Sequence, residues 1–360
     1  MAENGGTRTI RTEALARVEG EGAMQVRIRG GEVENVKLQI YEPPRFFEAF
    51  LRGRDFKEAP DITARICGIC PVAYMTSAFN AMEDALDVKV DERIRSLRRL
   101  MYCGEWIESH ALHVFLLHAP DFLGFDSAWQ MARDHREVVE GALRVKAMGN
   151  DLLRTVGGRA IHPINTRVGG FYKAPGREHL DALVPALEES REFMRGAVAF
   201  LAGLDFPDFE QDYEFVALRD PDRYAIEDGR LVSSSDLDIG PGEYEEHFSE
   251  QHIEHSTALQ SRMSDGSTYF LGPMARYSLN YDQLTDGAKE SAEGAGLGKE
   301  CRNPFKSILV RGVEIIFALE EALALIAGYE PPDPPAQVPE PRASAGCGWS
   351  EAPRGMLWHR

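Results

Sequence analysis

Cys67 and Cys70 are the only cysteines of this 360-residue chain that stand close together, in the segment Arg65-Ile66-Cys67-Gly68-Ile69-Cys70-Pro71. A glycine lies between the thiols and a proline follows them. When the second cysteine opens a helix, both sulfurs face the same way and can reach one soft metal ion, for which thiolate is the matched ligand. The same spacing serves a redox dithiol, and the pair by itself does not choose between the two. His110 and His113, three positions apart in a helical pattern, also have metal-binding spacing. Helix packing is the plainer reading there, because no third ligand stands nearby. Glu48 sits among Phe46, Phe47, Phe50 and Leu51, an apolar stripe at helical spacing that runs toward the cysteine pair. A solvated helix face is its plain alternative.

The elements that must position these residues are mostly helices. From Asp61 the pattern is helical almost continuously, over 61–86 around the cysteines, 92–117, and 127–156 after Pro120. Further amphipathic helices are predicted over 177–201 and from about 304 to 327. Long helices with short breaks build a bundle core. At the N-terminus Val26 and Ile28 alternate, Gly30-Gly31 makes a turn, and Val36, Leu38 and Ile40 alternate back, which predicts a hairpin. A second hairpin is predicted around Asp228-Gly229, between Tyr224-Ala225-Ile226 and Leu231-Val232, within an acidic, polar stretch. The glycine-bracketed loop around Ile161-His162-Pro163-Ile164-Asn165 has no strand before it and no Lys-Ser/Thr after it, so it reads as structural and not as a phosphate loop. Six prolines between Pro331 and Pro341 predict a stiff, extended crossing. The fold class is therefore α+β, predominantly α: a long-helix bundle core with a small N-terminal antiparallel β element and a subsidiary β-containing lobe. The expected division is 1–60, 61–204 with the cysteine pair, an acidic lobe over 205–300, and 301–360.

Forty basic against 58 acidic residues give a net charge of −18, the wrong sign for phosphate backbones or anionic lipid. Nucleic acid and membrane surfaces are excluded as expected partners. Five cysteines, an odd number scattered over a long chain, suit a reducing compartment and point to the cytoplasm. The best apolar run, 308–326, is broken by Arg311, Glu314, Glu320 and Glu321, and the first thirty residues lack the apolar core of a signal peptide, so no membrane span is expected.

Five motifs in order carry a resemblance: RVEGEG at 17–22, RFFEAFLRGRD at 45–55, RICGICP at 65–71, GGRAIHPIN at 157–165 and SEAPRGMLWH at 350–359. Together they resemble the large subunit of a nickel–iron hydrogenase. The run from Tyr102 to Phe122 resembles in particular the cytoplasmic, NAD(P)-linked branch that includes the sulfhydrogenases. The resemblance implies reversible conversion of H2 into two protons and two electrons at a nickel–iron centre whose iron bears CO and cyanide, with magnesium or a similar hard cation nearby. It implies that Cys67 is a terminal nickel ligand, Cys70 a bridging thiolate and Glu48 a ligand of the hard cation. Glu19 matches the proton-relaying glutamate, and Arg354 the arginine whose guanidinium lies over the open metal position. Two positions depart from better-known relatives. Tyr74 replaces a histidine that bonds the bridging thiolate, and Ser109 stands where an aspartate is placed near the arginine.

The implied partners are an iron–sulfur small subunit and flavin/NAD(P) diaphorase subunits, or sulfur as the acceptor, since this chain has neither a spare cysteine quartet nor a dinucleotide fingerprint. Family members continue past the arginine segment to a second cysteine pair and a histidine that complete the site, whereas the sequence stops at Arg360. Cys103, Cys301 and Cys347 are single and in separate segments, so none is a substitute, and the 360-residue chain alone is expected to be inactive. Two alternatives remain: a non-catalytic structural remnant, and the related quinone-reducing subunit of respiratory complex I. The cysteine pair argues against the latter, which does without the metal.

Overall fold

The structure, a computed structural model, describes residues 6–18, 20–42 and 45–360. The chain forms two bodies, one from residues up to 49 together with 244–268, the other from 50–243 and 269–360.

In the first body β1 (Thr7–Thr12), β2 (Gly22–Arg29) and β3 (Glu32–Ile40) form an antiparallel meander in that order. The β2–β3 turn is the predicted one: Gly30 and Gly31 have φ of +60° and +87°, a two-residue geometry that a Cβ would strain. β1 was not expected, because its polar sequence carries no apolar alternation. The short strands Phe248–Gln251 and Gln260–Met263 pair within the same body. Between them Thr257 donates its N–H to the Ile40 carbonyl at 2.7 Å and its hydroxyl to the Glu42 carbonyl at 2.7 Å. Residues 244–268 thus fold with the N-terminal strands, whereas the sequence placed them in one lobe with 205–300.

The second body is built on α1 (Pro71–Leu86), α2 (Glu92–Ala111), α3 (Arg136–Gly157), α4 (Val184–Ala202), α5 (Pro273–Asn280) and α6 (Ser307–Ala327). α2 is its centre, with every residue from Leu97 to Ala111 buried. It crosses α3 at Gly104 and Gly149: a Cβ on Gly149 would stand 2.6 Å from the Gly104 carbonyl oxygen and 2.7 Å from the Glu108 nitrogen. The buried arginines of α2 are paired, as burial requires. Arg98 bonds both oxygens of Glu83 at 2.9 and 2.6 Å, and Arg99 reaches Glu227 at 2.8 Å and Glu321 at 2.5 Å.

The predicted 92–117 helix stops being α-helical at Ala111 and widens into a π-helical turn, Leu112–His118, which brings the His113 and His118 rings to 4.4 Å. The predicted 127–156 helix breaks at His135 into Ala128–Asp134 and α3. The second hairpin pairs differently from expectation, because Arg230–Ser233 lies against Val216–Arg219 and not against 224–226. The carbonyls of Tyr224 and Ile226 are taken elsewhere: Arg99 donates to the Tyr224 oxygen at 3.0 Å, and the Glu351 N–H to the Ile226 oxygen at 2.7 Å. A last hairpin, β4 (Gly348–Ala352) and β5 (Gly355–His359), turns at Pro353-Arg354, where Gly355 has φ +144°. β4 lies on α1, held where Ser77 and Ser350 hydroxyls meet at 2.7 Å and the Ser350 hydroxyl reaches the Ala73 carbonyl at 3.1 Å. The protein is α+β and predominantly α, as the periodicities predict. No helix among the described residues is long and apolar enough to cross a membrane.

Candidate metal centre

Cys67 ends a single 3-10 turn, Ala64–Ile66, in an extended conformation, and Cys70 is the N-cap of α1 with Pro71 at the first helical position. Proline suits that position because its missing N–H would have no partner there. The Gly68-Ile69 link curls back, so the Cys67 sulfur accepts the N–H groups of Ile69 at 3.3 Å and Cys70 at 3.4 Å. Both thiols are buried.

The two thiols are driven in opposite directions. The Cys70 S–H bond to Cys67, helped by the two backbone N–H groups and opposed by burial, pulls the Cys67 thiol down to about 6. The same bond, with burial and the Glu105 charge, pushes Cys70 far above the usual thiol range. Across the turn of the last hairpin Arg354 reaches back, its Nη2 lying 3.1 Å from the Cys70 sulfur and 3.6 Å from the Cys67 sulfur. Arg354 is an exposed residue whose guanidinium end lies against the pair.

Beneath the pair, the first N–H groups of α1 are capped by a side chain from another helix. The Glu105 carboxylate accepts the Val72 N–H at 2.6 Å and the Ala73 N–H at 3.1 Å, and satisfies donors that a helix start leaves open. Burial raises the Glu105 carboxyl well above its usual range. One turn on, burial also raises Glu108, against the pull of Lys146 at 3.0 Å. Sequence reasoning missed Glu105. Its signal was available as a carboxylate on the same side as Met101 and Tyr102 of a helix whose neighbours are apolar.

The structure brings Cys67, Cys70 and Arg354 together. Glu48 belongs to the first body, exposed on the short helix Phe47–Leu51. Glu19 lies outside the described residues. Tyr74 stands one turn into α1, its ring edge-on to His359 at 6.1 Å. Ser109 is buried in α2. His110 packs with its Nε2 2.9 Å from Glu314 Oε2, and burial lowers its imidazole to about 4, while burial takes His113 down to about 2.

As a donor set, two adjacent buried thiols beneath a cation fit a soft thiophilic metal such as nickel or iron. They supply two positions, and among the described residues no cluster of three or more His, Cys, Asp and Glu side chains forms.

The family described as nickel-dependent hydrogenase matches residues 45–174, which include both cysteines. Over the whole chain the sequence is 34% identical across 353 residues to sulfhydrogenase 1 subunit alpha of Pyrococcus furiosus, covering 97% of this chain and 82% of that one. It is 32% identical across 355 residues to sulfhydrogenase 2 subunit alpha of the same organism, covering 97% and 83%. The fold is similar to a crystal structure of a NAD+-reducing nickel–iron hydrogenase in the H2-reduced state, with TM-score 0.88, 27% identity and coverage of 99% of this chain and 85% of that one. The nickel–iron–selenium hydrogenase of D. vulgaris Hildenborough shares the fold at TM-score 0.82 and 22% identity, with coverage of 98% and 86%.

The fold is thus that of a hydrogenase large subunit. The chain belongs to the nickel-dependent hydrogenase family, in its sulfhydrogenase alpha-subunit branch. It is a subunit of an oxidoreductase acting on hydrogen, and a nickel–iron centre is the group its family carries.

Proposed function

We propose that Cys67 and Cys70 hold the nickel–iron centre of a reversible hydrogenase of the sulfhydrogenase or NAD+-reducing kind, and that Arg354 covers its open side. The observation that carries this reading is the reach of the Arg354 guanidinium to both sulfurs, at 3.1 and 3.6 Å. Bound there, the centre, with CO and cyanide on its iron, supplies the cleavage of H2 into two protons and two electrons.

The protein's own residues do the rest. Cys67, the sulfur held as thiolate by its neighbours, provides the soft ligand, and Cys70 beside it the bridging one. The permanently protonated, planar Arg354 head polarises whatever small molecule stands over the sulfurs and keeps bulk water off them. Glu19, through the motif resemblance at 17–22, takes the proton onward from a cysteine sulfur, and Glu48 gives a carboxylate oxygen to magnesium or a similar hard cation. Electrons leave to an iron–sulfur small subunit and from it to flavin/NAD(P) diaphorase subunits or sulfur, in line with the relatives' sulfhydrogenase and NAD+-reducing activities. Five free cysteines fit a reducing cytoplasm.

The test is metal analysis of the assembled enzyme with its partner subunits. Wild-type enzyme is expected to carry nickel and iron and to reduce dye with H2, and Cys67→Ser and Cys70→Ser to lose both. A double Cys67→Ser, Cys70→Ser variant that keeps stoichiometric nickel and H2-dependent activity would overturn the assignment.

A further inference from the structure

We propose that Arg276, a residue outside every motif named above, is the positioning residue that aims Arg354 at the cysteine pair; this rests on the reading of Arg354 given above. Arg276 lies in α5 and is fully buried. A guanidinium has five N–H donors, and here all five find acceptors. Two go to Glu314 of α6, from Nε to Oε1 at 3.0 Å and from Nη2 to Oε2 at 2.9 Å. The other three go to the residues immediately before Arg354: Nη1 bonds Glu351 Oε2 at 3.0 Å and the Ala352 carbonyl at 2.6 Å, and Nη2 bonds the Pro353 carbonyl at 3.0 Å.

The arm that ends in Arg354 is therefore held at three successive residues by one side chain, itself locked to a helix. Its remaining freedom is removed from other sides. The Trp106 ring lies 4.5 Å under the Arg276 guanidinium and donates its indole N–H to the Glu351 carbonyl at 3.0 Å. The second Glu351 oxygen accepts the Leu218 N–H at 2.8 Å. The Arg354 carbonyl rests on Gly272, where a Cβ would stand 2.8 Å from it. Glu314 is in turn held by the Tyr224 hydroxyl at 2.8 Å and flanked by His110.

Burial alone requires that all five donors be satisfied, but it does not dictate that three of them fall on consecutive residues of one short arm. Concentrating them on residues 351–353 fixes the direction in which the next side chain leaves the backbone. Lysine, with three donors on a point charge, cannot reproduce the fork.

The experiment uses the full chain without metal and reads the alkylation rates of Cys67 and Cys70 by iodoacetamide, measured by mass spectrometry against Cys347 in the same molecule. Arg354→Gln is expected to shift the Cys70-to-Cys347 rate ratio several-fold. Arg276→Lys, which keeps the buried charge, is expected to reproduce that shift, and the Arg276→Lys, Arg354→Gln double variant to add nothing, since both act through one contact. If Arg276→Lys does not fold, Glu351→Gln, which keeps an acceptor for Leu218, must give a shift in the same direction. A wild-type ratio in a folded Arg276→Lys or Glu351→Gln, or effects that multiply in the double variant, overturns the positioning role and leaves Arg354 over the sulfurs. A wild-type ratio in Arg354→Gln itself overturns the placement of Arg354, and the positioning role with it.

Discussion

Arg354 Nη2 lies 3.1 Å from the Cys70 sulfur although 284 residues separate them in the chain. The last hairpin makes this approach, with β4 lying along α1, the helix that Cys70 opens. The two ends of the site are thus joined by an antiparallel ribbon fixed to the cysteine helix itself, and a shift of either carries the other.

Substituting Arg354 by lysine in the assembled enzyme should slow H2 turnover by on the order of a hundredfold, the usual loss when one well-placed donor over a reacting group is removed. Nickel content should stay intact. Loss of nickel together with activity would assign Arg354 a structural role.

Glu105→Gln should destabilise the protein by about 1–3 kcal/mol in urea unfolding. Its carboxylate accepts two N–H groups at the start of α1, and an amide has one oxygen to offer, leaving the other N–H facing an NH2 group. Unchanged stability would mean that water or a neighbour serves the second donor equally well.

Gly149→Ala is expected to cost about 1–3 kcal/mol, because the added methyl enters the α2–α3 crossing against backbone that cannot rotate away. Gly294→Ala is the control, since a Cβ there meets nothing within 4 Å, and should fall within about 0.5 kcal/mol of wild type. Equal melting temperatures for the two variants would show that the crossing is looser than the structure has it.

Stability should fall in two steps on the acid side. Burial holds His110, His118 and His359 at about 4 against an ordinary 6.5, so the unfolded chain takes up protons that the folded one refuses between those values. Stability therefore drops as pH is lowered from about 6.5 to 4, by up to ~1.4 kcal/mol per pH unit for each histidine, and His113, which burial takes down to about 2, carries the drop on below 4. Glu314 acts lower down. Burial would raise it, yet Arg276 and His110 bring it to about 2, so its contribution is present above the ordinary 4.5 and is lost as pH falls toward 2. Urea midpoints at pH 7, 5 and 3 read both steps, and His359→Gln should flatten the first alone. A midpoint unchanged between pH 7 and 5 contradicts this account.

The sequence by itself determined what depends on neighbours in the chain. The 3.6-residue apolar period set where the long helices lie, though not the breaks inside the predicted 61–86 and 127–156 spans; Gly30-Gly31 set the first hairpin, and the Cys67–Cys70 spacing before Pro71 set a thiol pair at a helix start. The five motifs supplied the family. Only the tertiary structure decided what distant segments do to one another. It moved residues 244–268 to the N-terminal strands through Thr257, and it drew the Tyr224 and Ile226 carbonyls away from a hairpin toward Arg99 and Glu351. It also used Glu105 to cap a helix 32 residues earlier, and it put Arg276 behind Arg354. The physical reason is the same in each case. A periodicity reports which face of an element is buried, but a buried hydrogen bond or ion pair is chosen by which polar groups converge once those faces meet, and that convergence leaves no pattern along the chain.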